Sequence, residues 1–311
     1  MTRRHITIVT PCYQEAGNVR EMAHAVREVM ATRPGYAYEH LFIDNGSTDG
    51  TRDLLRQLAA DDDRVRVILN ARNFGQVRSG YHALLQSRGD AVICLVCDFQ
   101  DPPELISTFL DQWERGARVV LGVKTEADES RFMYGFRSAY YRWLARIADV
   151  KVVQHATGFG LYDRQVIEDL RRIDDPYPFF RGLLAEIGYS PVLIPYRQPA
   201  RRAGTTSQTF WTLYDMALLG VVSHSRLPLR LAVIVGVVCA LLSLLTGFGY
   251  LVYKLAFWNQ FSVGIAPALI GIFFLAAVQL IFIGLVGEYL GAVWTHVRKH
   301  PHVFEEERIN F

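Results

Sequence analysis

Charge of one sign is scarce in this chain. Its 33 lysines and arginines stand against 31 aspartates and glutamates, a net charge of +2 over 311 residues. No global field therefore argues for a nucleic-acid partner. Cysteine is scarce too. Of the four (Cys12, Cys94, Cys97 and Cys239), Cys94 and Cys97 form a C-x-x-C inside an apolar run. No second pair completes a four-ligand zinc site, so the expectation is buried strand thiols in a reducing compartment. An apolar leader is also missing. Met1-Thr2-Arg3-Arg4-His5 runs straight into a short strand pattern, and the first part of the chain is expected to stay in the cytoplasm.

Long apolar runs are present, but only late. Half of the residues are hydrophobic, with the excess after residue 226. Residues 231–253 and 265–287 each make a run of 23, longer than the roughly 20 residues that span a hydrocarbon core. Arg226 and Arg230 precede the first run, Arg298, Lys299 and Arg308 follow the second, and the connection holds only Lys254. The positive-inside rule then predicts a hairpin with both termini in the cytoplasm of a cell whose plasma membrane it crosses. Gln279 is expected to bond to a neighbouring helix. Residues 208–225 place Phe210, Leu213, Tyr214, Ala217, Leu218 and Val221 at helical spacing. Lying directly before a span, they read as an interfacial helix rather than an amphipathic core helix.

Strand and helix patterns alternate over residues 1–125. Strand-like runs at 6–10, 41–43, 65–69, 91–96 and 119–123 are separated by helical patterns at 17–32, 50–61, 74–88 and 103–115. That alternation predicts a mostly parallel sheet covered by helices, with ligands at the carboxyl ends of its strands. Polar clusters sit at those ends: 11–15, 44–49, 98–101 and Lys124. Further on, a basic aromatic helix is expected at 131–148, strands at 158–162 and 189–197, and a basic loop at 201–207.

The run 91–96 opens onto Asp98, Gln100 and Asp101 before Pro102-Pro103 forces a turn. Hard oxygens at a strand end suit a divalent cation bound to a diphosphate. Asp101 either backs these ligands or caps the proline turn, and the cap is the favoured reading. In Asp44-Asn45-Gly46-Ser47-Thr48-Asp49-Gly50-Thr51, Asp44 or Asn45 can recognise a nucleoside, while Asp49 or Ser47 can cap the next helix. Tyr13 can stack a base and Glu15 can hold a ribose, although that segment also reads as a plain strand-to-helix turn.

In this order, Thr10-Pro11-Cys12-Tyr13-Gln14-Glu15, the Asp44–Thr51 segment and Asp98-Phe99-Gln100-Asp101-Pro102-Pro103 resemble glycosyltransferase family 2. Gly158-Phe159-Gly160-Leu161-Tyr162-Asp163-Arg164, the loop from Arg201 to Gly204, Pro228-Leu229-Arg230 and two late spans extend the resemblance. This is the layout of the polyisoprenyl-phosphate glycosyltransferases, the dolichyl-phosphate-mannose-synthase-like branch. The resemblance implies a GT-A (Rossmann-like) α/β fold with helices on both faces of the sheet, followed by an interfacial helix and two transmembrane helices. The expected divisions are a catalytic domain at 1–206, an interfacial helix and linker at 207–230, a membrane hairpin at 231–290 and a cytoplasmic tail at 291–311.

It implies that Pro11, Tyr13, Glu15, Ile43 and Asn45 line the nucleoside pocket. It also implies that Asp98 and Gln100 bind Mg²⁺ or Mn²⁺ with the donor diphosphate. Val96 stands where the family's metal motif has its first aspartate. Lys124 falls where an arginine usually faces the phosphates. Arg137 and Arg201 match positions that face the acceptor phosphate. Ser207 replaces a usual lysine there, and Arg202 is the neighbour that compensates. Gly158 stands where some relatives carry an aspartate read as a base. The implied reaction is inverting transfer of a sugar from a nucleotide donor, expected to be UDP-linked, to polyprenyl (undecaprenyl) phosphate at the cytoplasmic membrane face. Homo-oligomers through the membrane helices are implied as well.

Two other readings remain at this stage. A processive polysaccharide synthase needs a Gln-x-x-Arg-Trp motif, and here Ala139 stands where the glutamine belongs, before Arg142-Trp143. A non-catalytic scaffold that binds nucleotide or lipid is motivated by Val96 and Ser207.

Overall fold

The computed structural model describes residues 3–126, 156–173, 175–176, 178–199, 227–257, 265–298 and 300–311. The expected helix at 131–148 with Arg137, the loop with Arg201, Arg202 and Ser207, and the expected interfacial helix lie outside these residues.

The chain runs β1 (Arg4–Cys12), α1 (Val19–Ala31), β2 (Tyr36–Asp44), α2 (Thr51–Asp61), β3 (Val65–Asn70), α3 (Gln76–Gln86), β4 (Ala91–Cys94), α4 (Leu105–Glu114) and β5 (Val119–Glu126). It continues through β6 (Ala156–Asp163), α5 (Arg164–Arg172), α6 (Phe180–Ile187) and β7 (Val192–Arg197) to the long helices α7 (Leu227–Ala256) and α8 (Ile265–Arg298), and ends in β8 (Glu305–Ile309). The strand order is β7-β5-β6-β4-β1-β2-β3-β8. The pairs β1–β2, β1–β4, β2–β3 and β5–β7 are parallel, whereas β4–β6, β5–β6 and β3–β8 are antiparallel.

Strand alternation sends successive side chains to opposite faces. Ile6, Ile8 and Phe42 join Met22, Val26, Leu55 and Phe109 in one buried cluster under α1, α2 and α4. Val9, Leu41 and Ile43 join Tyr81, Leu84, Val166 and Leu170 in another under α3, α5 and α6. This is the mostly parallel α/β sheet with helices on both faces that the GT-A expectation required.

Two differences from the sequence reading have local causes. Strand β4 stops at Cys94, two residues early, because Val96 to Asp101 turn into a loop. Cys97 is therefore not a strand thiol. It is buried beside Cys12 on the neighbouring strand, and burial pushes the Cys12 thiol well above its usual value. Both sulfurs are inert apolar filling.

The larger difference is β8. The tail at 291–311 reads as separate from the catalytic domain, yet Val67 pairs with Ile309, Ile68 with Arg308 and Leu69 with Glu307. Arg52 reaches Glu306 at 2.7 Å and Arg56 reaches Glu307 at 2.8 Å. The acidic tail completes the sheet because basic side chains of α2 meet it.

His40 sits within the sheet at 2% exposure, its Nε2 2.9 Å from Thr10 Oγ1 and its ring 3.9 Å from that of Phe42. Burial pushes this imidazole down to about 3. The unfolded chain takes up a proton near pH 6.5 and the native state does not, so stability is full above that pH and declines as pH falls toward 3. The loss traceable to this ring is about 3 kcal/mol at pH 4.5. Urea midpoints at pH 7 and pH 4.5 check it: His40→Gln should show the smaller drop, and equal drops would place the proton elsewhere.

Helices α7 and α8 contain stretches, Leu229–Ala256 and Gly271–Thr295, long and apolar enough to cross a membrane. Their large side chains, such as Leu244, Phe248, Phe273 and Ile281, are exposed, as suits a lipid-facing surface. Gln279, expected to bond across helices, is also exposed.

Candidate active site

The carboxyl ends of β1, β2 and β4 lie side by side, and the loops leaving them are bonded into one frame. Gln14 adopts φ +59°, a left-handed conformation that a non-glycine residue holds only when its surroundings enforce it. Its N–H donates to Ser47 Oγ (2.9 Å) and its Nε2 to Thr48 Oγ1 (3.0 Å). The Glu15 N–H donates to Thr51 Oγ1 at 2.9 Å and the Ala16 N–H to Asp49 Oδ2 at 3.1 Å. Asp49 also accepts from the Thr51 N–H at the start of α2, and these hydrogen bonds hold its carboxyl below the usual range although burial opposes them. Gln14 is the residue sequence reasoning missed. Its only signal is a long amide side chain beside Tyr13 at a strand end.

Around the expected nucleoside pocket the side chains divide. Tyr13 is 37% exposed and presents its ring to solvent. Pro11 and Glu15 are half-buried, and Glu15 accepts from Asn18 Nδ2 at 2.5 Å. Asp44 is fully buried. Its Oδ2 accepts the N–H groups of Gly46 and Ser47, both at 3.0 Å, while Oδ1 has no donor among the described residues. An orphaned buried carboxylate oxygen is costly unless a ligand donor completes it.

Asn45 serves the frame. Its Oδ1 accepts from Phe74 N–H (2.9 Å) and Asn70 Nδ2 (3.3 Å), and its Nδ2 donates to Asn73 Oδ1 (2.9 Å). The Ile43 side chain points into the core at 0% exposure, so strand alternation leaves only its backbone to line a pocket.

At the end of β4, Asp98 is 6% exposed and its Oδ1 accepts the Gln100 N–H at 3.1 Å. Phe99 between them is held at φ +61°. Gln100 and Lys124 are half-buried. Lys124 lies at the matching end of β5, opposite Tyr196 in the register of β7. Asp101 does not cap the proline turn. Helix α4 starts without a side-chain cap, and Asp101 Oδ1 instead accepts from Tyr196 OH at 2.7 Å. Burial pushes the Asp101 carboxyl up to about 6, opposed by the Tyr196 hydrogen bond and the charge of Lys124. The 96–101 loop is thus pinned from β7.

No three His, Cys, Asp or Glu side chains converge as a metal cage among the described residues. A carboxylate and an amide are nevertheless a fitting donor set for Mg²⁺ or Mn²⁺, which take few protein oxygens when a diphosphate and water complete the shell.

The family model described as glycosyl transferase family 2 matches residues 7–171, the whole stretch from β1 through the loops above to α5. The chain belongs to glycosyl transferase family 2. Within the family it is 31% identical over 297 residues to the SfII prophage-derived bactoprenol glucosyl transferase of Shigella flexneri, covering 95% of this chain and 96% of the relative. It is 30% identical over 304 residues to the bactoprenol glucosyl transferase of Shigella phage SfX, covering 97% and 99%. Among solved structures it is similar to glucosyl-3-phosphoglycerate synthase from Mycobacterium tuberculosis in complex with Mn²⁺, UDP and phosphoglyceric acid, at 17% identity and a TM-score of 0.46 over 70% of this chain and 76% of that one. In family terms, then, the three loops at the carboxyl ends of β1, β2 and β4 belong to a glycosyltransferase.

Proposed function

We propose that this chain is a membrane-anchored, inverting glycosyltransferase of the polyisoprenyl-phosphate branch. It moves a sugar from a UDP-linked donor to polyprenyl phosphate at the cytoplasmic membrane face. The observation that carries the reading is the placement of Asp98, Gln100 and Lys124 at the same carboxyl end of a sheet whose chain continues into two membrane-length helices. Relatives named bactoprenol glucosyl transferases, similar along 95% and 97% of this chain, support the lipid acceptor. They also make glucose the first donor to test.

Tyr13 offers its ring to the base, and the free oxygen of Asp44 accepts a donor from the nucleoside. Asp98 and Gln100 hold the divalent cation, which neutralises the departing diphosphate when bound. Lys124 adds positive charge on the same side. A lipid phosphate is anionic near neutral pH, so its oxygen attacks the anomeric carbon without a base, and Gly158 in place of an aspartate is no obstacle. As the new C–O bond forms, the bond to the diphosphate breaks and UDP leaves with the electron pair. An α-linked donor gives a β-linked lipid phosphate sugar. Alignment and electrostatic stabilisation are the protein's main contributions. Arg137, Arg201 and Arg202 receive the acceptor phosphate, with Ser207 in the same loop.

The return of β8 to the sheet supports the hairpin. A chain that leaves the catalytic domain before α7 and rejoins it after α8 crosses the bilayer an even number of times.

Membranes carrying the protein, incubated with a panel of labelled UDP-sugars and undecaprenyl phosphate, should yield an organic-soluble labelled product that EDTA abolishes and Mn²⁺ or Mg²⁺ restores. No lipid-linked product with any donor would overturn the reading. Long polymer would favour a processive synthase, and nucleotide binding without turnover a scaffold.

A further inference from the structure

The stretch between α8 and β8 packs on α3, on Asp175 and, through Phe304, on the loop after β3. Pro301 O accepts from Arg78 Nη2 at 2.7 Å. His302 Nε2 lies 2.8 Å from Asp175 O, and its ring lies 5.2 Å from that of Tyr81. Val303 is 4% exposed. Phe304 O accepts the Ala71 N–H at 2.9 Å, and its ring lies 6.1 Å from that of Phe74. Glu305 Oε1 lies 2.5 Å from His82 Nε2.

The other side of the same loop holds the segment that follows β2. Phe74 N–H and Asn73 Oδ1 clasp the Asn45 side chain. Asn73 Oδ1 also accepts the Gly75 N–H at 2.8 Å. The backbone of Arg72 and Asn73 stands so close to Gly46 that a Cβ there would meet it at 2.7 and 2.8 Å. Gly46 and Ser47 are the residues whose N–H groups orient Asp44. Residues 71–75 are therefore a wedge, with the tail on one flank and the Asp44 loop on the other.

Edge protection alone does not account for this arrangement. The pairing of β8 and the ion pairs of Glu306 and Glu307 already cover the edge of β3. The 301–304 stretch precedes β8 and packs on α3 and, through Phe304, on the loop instead.

We propose that residues 301–305 are a positioning clamp for the nucleotide: through the wedge at 71–75 they hold Asp44 and its loop in the binding geometry, so that donor affinity depends on the segment emerging from the last membrane helix. This rests on the function proposed above, and it extends that site to a part of the chain more than 200 positions away in sequence, Arg78 and Pro301 being 223 apart.

The test uses the full-length protein in detergent, with UDP and Mn²⁺ as the probe. Failure of the wild type to bind UDP would defeat the proposed function and leave nothing for the clamp to act on. Given wild-type binding, Phe304→Ala should weaken the UDP Kd and raise the donor KM by about tenfold, the size expected of a network coupling. The kcat at saturating donor and the KM for lipid should stay within about twofold, because neither surface is touched. Phe304→Leu should restore most of the affinity. Asn73→Ala should weaken UDP to a similar degree, and the double variant should be no weaker than either single one, because both act through one wedge. Unchanged UDP affinity in a folded Phe304→Ala protein overturns the clamp, as do fully additive effects of the two substitutions. Should Phe304→Ala fail to fold, the milder truncation Phe304→Val takes its place, with the same Kd and additivity readouts.

Discussion

Asp98→Asn is expected to lower sugar transfer by about 10²–10³-fold, the usual consequence of losing one preorganised group at a developing charge. Asparagine keeps the shape of the side chain and an oxygen for the Gln100 N–H, now 3.1 Å from Asp98 Oδ1. The loop with Phe99 at φ +61° should therefore persist, and the melting temperature should stay close to that of the wild type. The negative charge is what disappears. A neutral amide pair at 98 and 100 competes poorly with water for a divalent cation. UDP binding should lose its Mn²⁺ dependence, and the metal concentration for half-maximal transfer should rise. Val96 makes the expectation sharper: with no aspartate at that position, no nearby carboxylate of the motif stands in. Initial rates across a Mn²⁺ titration are the measurement. Wild-type rates with an unchanged metal profile would remove Asp98 from the chemistry.

Gly46→Val is expected to abolish UDP binding and to destabilise the domain by several kcal/mol. Gly46 has φ +79°, and an added Cβ would lie 2.7 Å from the Arg72 carbonyl carbon and 2.8 Å from the Asn73 nitrogen. A β-branched residue in the left-handed region costs about 1–2 kcal/mol. Forcing two backbone segments apart adds about 1–3 kcal/mol. The obstacle is main chain on both sides, so no side-chain rotation relieves it. Moving the 71–75 loop away also breaks the bonds that Asn45 makes to Asn73 and Phe74. Gly50 supplies the control. It has φ +94° but open space around its Cβ position, so Gly50→Ala should carry the conformational strain alone and keep UDP affinity. Thermal melts and UDP titrations on the two variants separate backbone strain from the clash. Similar UDP affinities would mean that the approach at Gly46 has no bearing on the site.

Much of the catalytic sheet was legible because its strands are short apolar runs that end in polar clusters. The runs at 41–43 and 65–69 fall within β2 and β3, and the polar residues after them mark the carboxyl edge. The position of Asp98 and Gln100 was legible for the same reason, since a buried strand that opens onto polar side chains is a local pattern. What depended on distant partners was not legible. Nothing near Asp101 announces Tyr196, which lies 95 positions on. Nothing near Asn45 announces that Asn70, Asn73 and Phe74 consume its amide. Ile43 looked available at a strand end, but the two-residue period turns its side chain into the core. Cys97 read as a strand thiol, whereas the early end of β4 puts it in a loop beside Cys12. The tail was the hardest case. Glu305-Glu306-Glu307-Arg308-Ile309 carries no apolar strand pattern, and β3 with the arginines of α2, far earlier in the chain, makes it a strand.

Strand β8, which follows both apolar helices, closes the edge of β3, made far earlier. Asn310 and Val65 meet across 245 positions, and both apolar helices are made in between. Until the ribosome has delivered β8, the outer edge of β3 presents a row of unpaired N–H and C=O groups, the kind of open border that recruits other chains. Closure of the sheet thus waits for both apolar helices to be made, and a fragment ending before α7 carries a permanently unfinished border. Such a fragment should self-associate at concentrations where the complete protein stays dispersed.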